Sequence, residues 1–157
     1  MIGFGYDIHQ LVRDSVLVLG GVVISNDIGT VAHSDGDVLI HSIIDALLGA
    51  AALGDIGEHF PDTDPQYKNV SSVELLKTIN TLILQHNLSI INIDATIVIE
   101  KPKLTEYKKL IKENLANILN LSLSQINIKA KTNEKQDSVG NQNSVIVYSA
   151  CQLKKIE

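Results

Sequence analysis

The spacing of the apolar residues changes near residue 34, and this change constrains the fold more than any other feature of the sequence. Before it, the stretches GFGYDIHQ and VLVLGGVVIS show the alternation and short apolar runs that are typical of strands. After it, the apolar residues follow helical spacing at Val38, Leu39, Ile43, Ala46, Leu47, Ala50 and Ala51. We therefore expect strands first, and then a helix that is capped by Ser34 or Asp35 and ends near Gly54.

The rest of the chain continues this exchange between helix and strand patterns. A segment rich in Gly, Pro and Asp, residues 54–69, predicts a loop, and a second helix follows from a cap at Ser71 or Ser72 to about His86. Then come the strand NIDATIVIE, a helix after Pro102, the strand INIKAKTN and the closing strand SVIVYSACQL. This order predicts an α/β (α+β) fold with helices packed on one face of a mixed sheet of four to five strands. We expect a single domain over residues 1–157.

Composition and charge narrow the class of protein. The chain has 157 residues, of which 45% are hydrophobic, and this is enough for the core of one domain. It shows neither a signal peptide nor a membrane span, so we expect a cytoplasmic protein that does not enter a membrane, with an organellar mature form as the alternative. The net charge is -5, and no basic stripe with interleaved aromatic residues is present, so nucleic acid is not an expected partner.

Three residues of the first third have the chemistry of metal ligands. Asp7 and His9 lie on one face of the predicted first strand, and His41 lies in the predicted first helix. Two histidines and one carboxylate are a familiar zinc set, which leaves a fourth position for water or substrate. Asp37 or Asp45, four residues from His41, would accept its second imidazole proton. The alternative is a chance pair on a strand and a helical histidine that only satisfies a hydrogen bond, but unpaired buried carboxylates would be costly.

Later segments supply further candidates. Thr132 and Glu134 share a face at the end of a predicted strand, where Glu134 is suited to a hard cation such as Mg²⁺. The three aspartates in residues 55–64 are individually best explained as helix caps or Asx turns, although together they can hold substrate hydroxyls. Lys103 and Thr105 suit a phosphate or a polar ring, and a helix start capped by Thr105 explains them equally well.

The chain resembles the 2-C-methyl-D-erythritol 2,4-cyclodiphosphate synthase family along essentially its whole length. The resemblance rests on GFGYDIHQ, LGGVVI and AHSDGDVLIHSIIDALLGAAALGDIGEHFPDTDP, and more weakly on IEKPKL and KAKTNEK. It implies an intramolecular reaction in non-mevalonate isoprenoid biosynthesis. The 2-phosphate of 4-diphosphocytidyl-2-C-methyl-D-erythritol 2-phosphate attacks the β-phosphate of its own diphosphate, which closes a ring and releases CMP.

The same resemblance implies roles for individual residues. Zinc would be bound by the three candidate ligands named above, and Mg²⁺ or Mn²⁺ by Glu134, while His33 and Thr132 would stabilise the transition state. The implied substrate-binding residues are Asp7, His9, His33, Ser34, Asp55, Ile56, Gly57, Phe60, Pro61, Asp62, Thr63, Asp64, Lys103, Leu104, Thr105, Lys131, Thr132, Asn133 and Glu134. The resemblance also implies a homotrimer whose sites are shared between adjacent subunits.

The sequence departs from the family after Glu134. The family runs through a Phe and a Gly-Arg-Gly-Glu-Gly-like stretch, whereas this chain reads KQDSVGNQNSV, with Ser138, Asn141 and Asn143 in place of the Phe, the Arg and the Glu. In the family this stretch lies near the trimer axis and lines a cavity for an isoprenoid diphosphate, so we expect residues 135–144 to bind such a ligand differently.

Two other functions remain open from the sequence. A zinc-dependent phosphohydrolase would use the same residues and give a ring-opened product. A non-catalytic trimeric metal-binding protein would hold zinc structurally, with a fourth protein ligand such as His33.

Overall fold

The computed structural model describes residues 1–32, 34–61, 63–67 and 70–156. Its strands are β1 (Ile2–Arg13), β2 (Leu17–Leu19), β3 (Val22–Ser25), β4 (Ile28–Thr30), β5 (Leu88–Val98), β6 (Ile126–Lys131) and β7 (Ser144–Lys155). Its α-helices are α1 (Val38–Ala51), α2 (Ile56–His59), α3 (Ser72–Gln85), α4 (Lys108–Leu119) and α5 (Asp137–Gly140). Short 3-10 turns cover Pro65–Tyr67 and Leu123–Gln125. α2 and the first of these turns lie within the segment that the sequence predicts to be a loop.

Five strands form one mixed sheet in the order β4-β1-β7-β5-β6, and β2 and β3 form a separate hairpin. β5 and β6 run parallel, whereas β1 pairs antiparallel with β4 and β7, and β5 pairs antiparallel with β7. A helical crossover through α4 joins the parallel pair, as parallel strands require. The predicted mixed sheet is therefore confirmed, and the early VLVLGGVVIS strands stand outside it.

The helices cover one face of this sheet. Along β1 and β7 the inward side chains are buried or half-buried, whereas the outward ones are mostly exposed. The outward apolar side chains of these two strands form an exposed patch, which we call the outer patch: Ile2, Phe4, Tyr6, Ile8 and Tyr148. Within it, the Tyr148 ring lies 6.2 Å from the Phe4 ring and 5.4 Å from the Tyr6 ring, measured between centroids.

Two glycines on the inward face of β1 allow α1 to lie directly against the strand. A methyl group at Gly3 would overlap the backbone oxygen of Ala46, and one at Gly5 would overlap the backbone oxygen of Ser42. Only a residue without a Cβ fits such an approach. The close contact brings His41, the residue before Ser42, next to Asp7. Asp7 is the residue that follows Gly5 on the same face of the strand.

The structure settles the predicted caps of two helices. α1 is capped by the carboxylate of Asp37, so the expected cap at Ser34 or Asp35 is wrong. A glycine in the left-handed region, residue 36, delays the helix start beyond both of them. The expected cap of the second helix at Ser71 is confirmed, since its Oγ accepts a hydrogen bond of 3.3 Å from the amide of Val73.

Asp37 also attaches the β2–β3 hairpin to α1. Its fully buried carboxylate accepts hydrogen bonds from the amides of Gly20 at 2.9 Å, Gly21 at 2.7 Å and Ile40 at 3.0 Å. Burial raises the pKa of Asp37 to about 6, although the three amides act in the opposite direction. This carboxylate is therefore a structural group that fixes the helix N-terminus.

None of the helices within the described ranges has the length and apolar character needed to span a membrane.

Candidate metal centre

The three predicted metal ligands converge between β1 and α1. Asp7 Oδ2 lies 3.1 Å from His9 Nε2 and 3.2 Å from His41 Nδ1. The two imidazole rings meet edge to face, with centroids 5.3 Å apart. The side chains are partly shielded, with 24% of Asp7, 15% of His9 and 14% of His41 exposed. The strand alternation and the helical spacing thus bring together the residues that the sequence singled out.

One hydrogen bond behind His9 assigns the tautomer of its ring. His9 Nδ1 lies 3.0 Å from the backbone oxygen of Gly36. Because a carbonyl oxygen only accepts, Nδ1 carries the proton of the neutral ring. The lone pair of Nε2 is therefore directed at Asp7.

The second nitrogen of His41 contacts a serine rather than an aspartate. His41 Nε2 lies 2.9 Å from Ser72 Oγ. The expected partners are wrong, because Asp37 is occupied by three backbone amides and Asp45 Oδ1 accepts a 2.8 Å hydrogen bond from the amide of Ile56. Sequence spacing placed both aspartates one turn from His41, but backbone amides occupy their oxygens.

Charge at the triad favours a bound cation. Burial raises the pKa of Asp7, but its side-chain contacts with His41 and His9 outweigh burial and hold this pKa well below its usual range. Burial lowers the pKa of His9, while its bond to Asp7 outweighs this and raises it. When both rings are neutral and direct a lone pair at the centre, the three ligand atoms are all acceptors, and this arrangement needs a cation at its centre.

The donor set fits zinc. The three ligand atoms lie within 4.8 Å of one another, and no further His, Cys, Asp or Glu of the described residues joins them. Tetrahedral zinc with ligands at about 2.0–2.1 Å separates neighbouring ligand atoms by roughly 3.3 Å, close to the distances at Asp7. Two nitrogens and one oxygen leave one position open, as in catalytic zinc sites.

Some of the predicted substrate-binding residues, Ser34 and residues 55–64, make hydrogen bonds to nearby residues, and others make none that are described. Ser34 Oγ lies 3.5 Å from His41 Nε2. Asp55 caps α2 by accepting from the amide of Glu58 at 3.1 Å, and Asp64 accepts from Gln66, so both make the local bonds expected of single aspartates. Other members of this segment, Ile56, Gly57, Pro61 and Thr63, lie at or near the surface. His33 and Asp62 lie outside the described residues.

Phe60 is held against α3 rather than at the metal ligands. Its ring meets that of Tyr67 edge to face, with centroids 5.2 Å apart. Together with His59 and residues of α3, the two rings line a cavity of about 410 Å³. The three metal ligands are not among its lining residues.

Thr132 and Glu134 form a second cluster. Thr132 Oγ1 donates a 2.9 Å hydrogen bond to Glu134 Oε1, so hydroxyl and carboxylate meet as expected. Glu100, which sequence reasoning missed, organises this turn by accepting from the amides of Asn133 at 2.8 Å and Lys135 at 3.1 Å. The available signal was its position as the last residue of the predicted strand NIDATIVIE, at the start of IEKPKL.

The sheet separates this cluster from the metal ligands. Ile8 pairs with Ile146, Ile146 with Val98, and Val98 with Lys131, so one row crosses the sheet from β1 to β6. Three strand spacings amount to about 14 Å. Within one chain, the residue after Lys131 therefore lies far from Asp7 and its neighbours.

The predicted nucleotide segment presents two exposed side chains and one buried one. Lys103 and Thr105 are exposed, whereas the Leu104 side chain is 3% exposed and belongs to the core. Only the backbone of Leu104 is therefore available to a ligand. The N-cap of α4 is Tyr107, so the alternative of a Thr105 cap is wrong.

Residues 135–144, for which the sequence predicts altered ligand binding, contain the short helix α5. Ser138 Oγ lies 2.8 Å from Ser144 Oγ, while Val139 and Gly140 are buried. Ser138 thus makes a polar contact to the start of β7.

Comparisons with known proteins agree with this geometry. The YgbB family model matches residues 1–154. A curated protein of Clostridium perfringens, named 2-C-methyl-D-erythritol 2,4-cyclodiphosphate synthase, is 49% identical over 154 residues, which cover 98% of this chain and 99% of that protein. A solved structure of the same-named synthase, in its CDP-bound form, is 32% identical and has a TM-score of 0.91, covering 98% of this chain and 100% of that chain.

A larger protein contains the same unit. The bifunctional IspDF of Campylobacter jejuni is 43% identical with a TM-score of 0.96, and the match covers 99% of this chain but only 42% of that chain. With a family model and curated relatives that match almost end to end, the chain belongs to the YgbB family of 2-C-methyl-D-erythritol 2,4-cyclodiphosphate synthases.

Proposed function

We propose that this chain cyclises 4-diphosphocytidyl-2-C-methyl-D-erythritol 2-phosphate to 2-C-methyl-D-erythritol 2,4-cyclodiphosphate and releases CMP. The observation that carries the proposal is the triad of Asp7, His9 and His41, whose three ligand atoms lie within 4.8 Å of one another. Bound zinc would keep a fourth position for the substrate. It stands in a chain whose curated relatives bear the name of this synthase.

The proposed reaction requires little covalent chemistry from the protein. The nucleophile is the substrate's own 2-phosphate, and the bond that breaks joins the β-phosphorus to the oxygen that leaves with CMP. The chain must therefore position two phosphates and neutralise their charge. Zinc held by the triad would supply Lewis acidity and a template at the β-phosphate. Shielding of the site from water matters, because attack by water would hydrolyse the substrate instead.

Further residues are proposed to complete the site. Ser34, whose Oγ already lies beside His41, and His33 would orient a phosphate, and the segment 55–64 would hold the methylerythritol unit. Lys103, Thr105 and the backbone between them would border the cytidine. The CDP bound to a structural relative supports a cytidine nucleotide as ligand.

We propose that Thr132 and Glu134 serve the triad of a neighbouring subunit in a homotrimer. In their own chain they follow Lys131, which ends a row that runs about 14 Å across the sheet from Ile8 of β1. β6 is an edge strand, so a cyclic assembly can place it beside β1 of the next copy. The outer patch supports assembly, because Ile2 is 77% exposed and Phe4 65% exposed within a contiguous apolar surface. Glu134 would then bring Mg²⁺ or Mn²⁺ to the diphosphate.

The decisive test of the activity is the identity of the product. We expect the purified protein, with Zn²⁺ and Mg²⁺, to convert the cytidine diphosphate substrate to a cyclic diphosphate and CMP in a ³¹P NMR time course. His41→Ala should lose this activity, while His86→Ala, which alters an exposed histidine at the end of α3, should keep it. Ring-opened phosphates would instead identify a phosphohydrolase, and no turnover by the folded protein would leave a metal-binding protein.

Two expectations from the sequence stay predictions. They are the cytoplasmic location and the organisation of residues 1–157 as one domain.

A further inference from the structure

A chain of hydrogen bonds behind His41 joins the metal centre to the first turn of α3. His41 Nε2 lies 2.9 Å from Ser72 Oγ, and Ser72 Oγ donates a short hydrogen bond to Asp35 Oδ1. The amide of Ser72 donates to the other carboxylate oxygen, Asp35 Oδ2, at 2.9 Å. Ser72 is fully buried, so water does not compete for these bonds.

The direction of each hydrogen bond follows from the chemistry of the partners. The Asp35 carboxylate only accepts, and Ser72 Oγ has a single proton, which this carboxylate takes. Ser72 can therefore only accept from His41, and Nε2 must carry the ring proton. The Nδ1 lone pair then faces Asp7 and the position between the three ligands.

The alternative tautomer would close the metal site. A proton on Nδ1 would lie between His41 and Asp7 Oδ2, which are 3.2 Å apart, and would satisfy the carboxylate in place of a metal ion. Nothing at Asp7 itself prevents this, because the carboxylate accepts either a proton or a metal. The contact of Nε2 with Ser72, on the other side of the ring, therefore decides which nitrogen of His41 carries the proton.

We infer that Ser72 and Asp35 are positioning residues that hold His41 as its Nε2–H tautomer and so keep Nδ1 available to the metal. This role rests on the proposed metal binding by the triad. Such partners behind a metal-binding histidine fix its tautomer and orientation.

Two features make Ser72, and not the nearby Ser34, the main hydrogen-bond partner of His41 Nε2. Asp35 is held by two hydrogen bonds from one residue at the N-terminus of α3, where a carboxylate is favoured, so its orientation is fixed. Ser34 is the other hydroxyl near His41 Nε2, but it lies 3.5 Å away, and its oxygen already accepts a hydrogen bond of 3.2 Å from the amide of Gly36. Ser34 is therefore the weaker partner.

The first test compares two adjacent serines by zinc affinity. Metal-stripped proteins are titrated with Zn²⁺ against a chromophoric chelator. Ser72→Ala should raise the zinc Kd by about 10- to 100-fold. Ser71→Ala removes a serine hydroxyl from the same helix end without touching His41, so it should keep the wild-type Kd. Asp35→Ala should match Ser72→Ala, and the double variant should be no weaker than either, because the two residues act as one chain.

A second measurement uses only the wild-type protein, so it remains informative if Ser72→Ala does not fold. In ¹⁵N-edited NMR of the metal-free wild type at alkaline pH, His41 should show its proton on Nε2. A proton on Nδ1, or equal zinc affinities for Ser72→Ala and Ser71→Ala, would overturn the positioning role alone. A wild-type protein that binds no zinc would overturn the proposed metal site and this role with it.

Discussion

Gly5→Ala is expected to abolish zinc binding and cyclisation and to lower the free energy of unfolding by about 3 kcal/mol or more. The added methyl group would overlap the backbone of α1 at Ser42, which cannot rotate away as a side chain can. The helix must therefore move off β1. His41 precedes the point of contact, so it would move away from Asp7 and the three ligand atoms would separate.

The matched control is another glycine of the same interface. A methyl group at Gly49, within α1, would have its nearest neighbours at 3.9 Å, which is ordinary contact. Gly49→Ala should therefore keep zinc and activity and stabilise the helix by up to about 1 kcal/mol. Urea unfolding, zinc content and turnover measure all three effects. A Gly5→Ala protein with wild-type stability and zinc content would contradict the close approach of helix and strand.

In the proposed homotrimer, assemblies that mix two inactive variants are expected to regain activity that each variant alone has lost. His41→Ala lacks a metal ligand and Glu134→Gln lacks the carboxylate proposed for the second metal, so each should be inactive alone. When the two are refolded together, a site that takes its triad from one subunit and Glu134 from the next is intact in roughly a quarter of interfaces. Turnover should therefore recover to about a quarter of the wild-type value.

A second mixture distinguishes shared from unshared sites. Wild type refolded with the doubly substituted chain should show about a quarter of wild-type turnover if sites are shared, but about half if each chain holds its own site. Mixed trimers verified by mass that show no recovery in the first experiment would contradict the proposed role of Glu134 across subunits.

Local patterns were enough to predict the triad. Strand alternation put Asp7 and His9 on one face, and helical spacing placed His41 in the first helix, because both periodicities depend only on neighbouring residues. The partners that set the ring tautomers were not predictable in this way. Ser72 lies 31 residues from His41, and Gly36 lies 27 residues from His9, so only the packed fold brings them together.

Competition for hydrogen bonds explains why Asp37 and Asp45 were wrongly predicted as partners of His41. Spacing correctly places Asp37 and Asp45 near His41 along the helix, yet it does not show which backbone amides reach their oxygens first. The positions of Thr132 and Glu134 relative to the triad also depend on sheet order, which the sequence leaves open. The sheet, with β7 and β5 between β1 and β6, supplied that separation.

The central claim is that Asp7, His9 and His41 together hold the zinc ion on which the cyclisation depends. Its most direct test is an anomalous difference map recorded at the zinc absorption edge from crystals of the protein grown with Zn²⁺. We predict a peak bonded to Asp7 Oδ2, His9 Nε2 and His41 Nδ1, at about 2.0–2.2 Å from each. An empty triad, or zinc bound through the other nitrogen of either histidine, would contradict this claim.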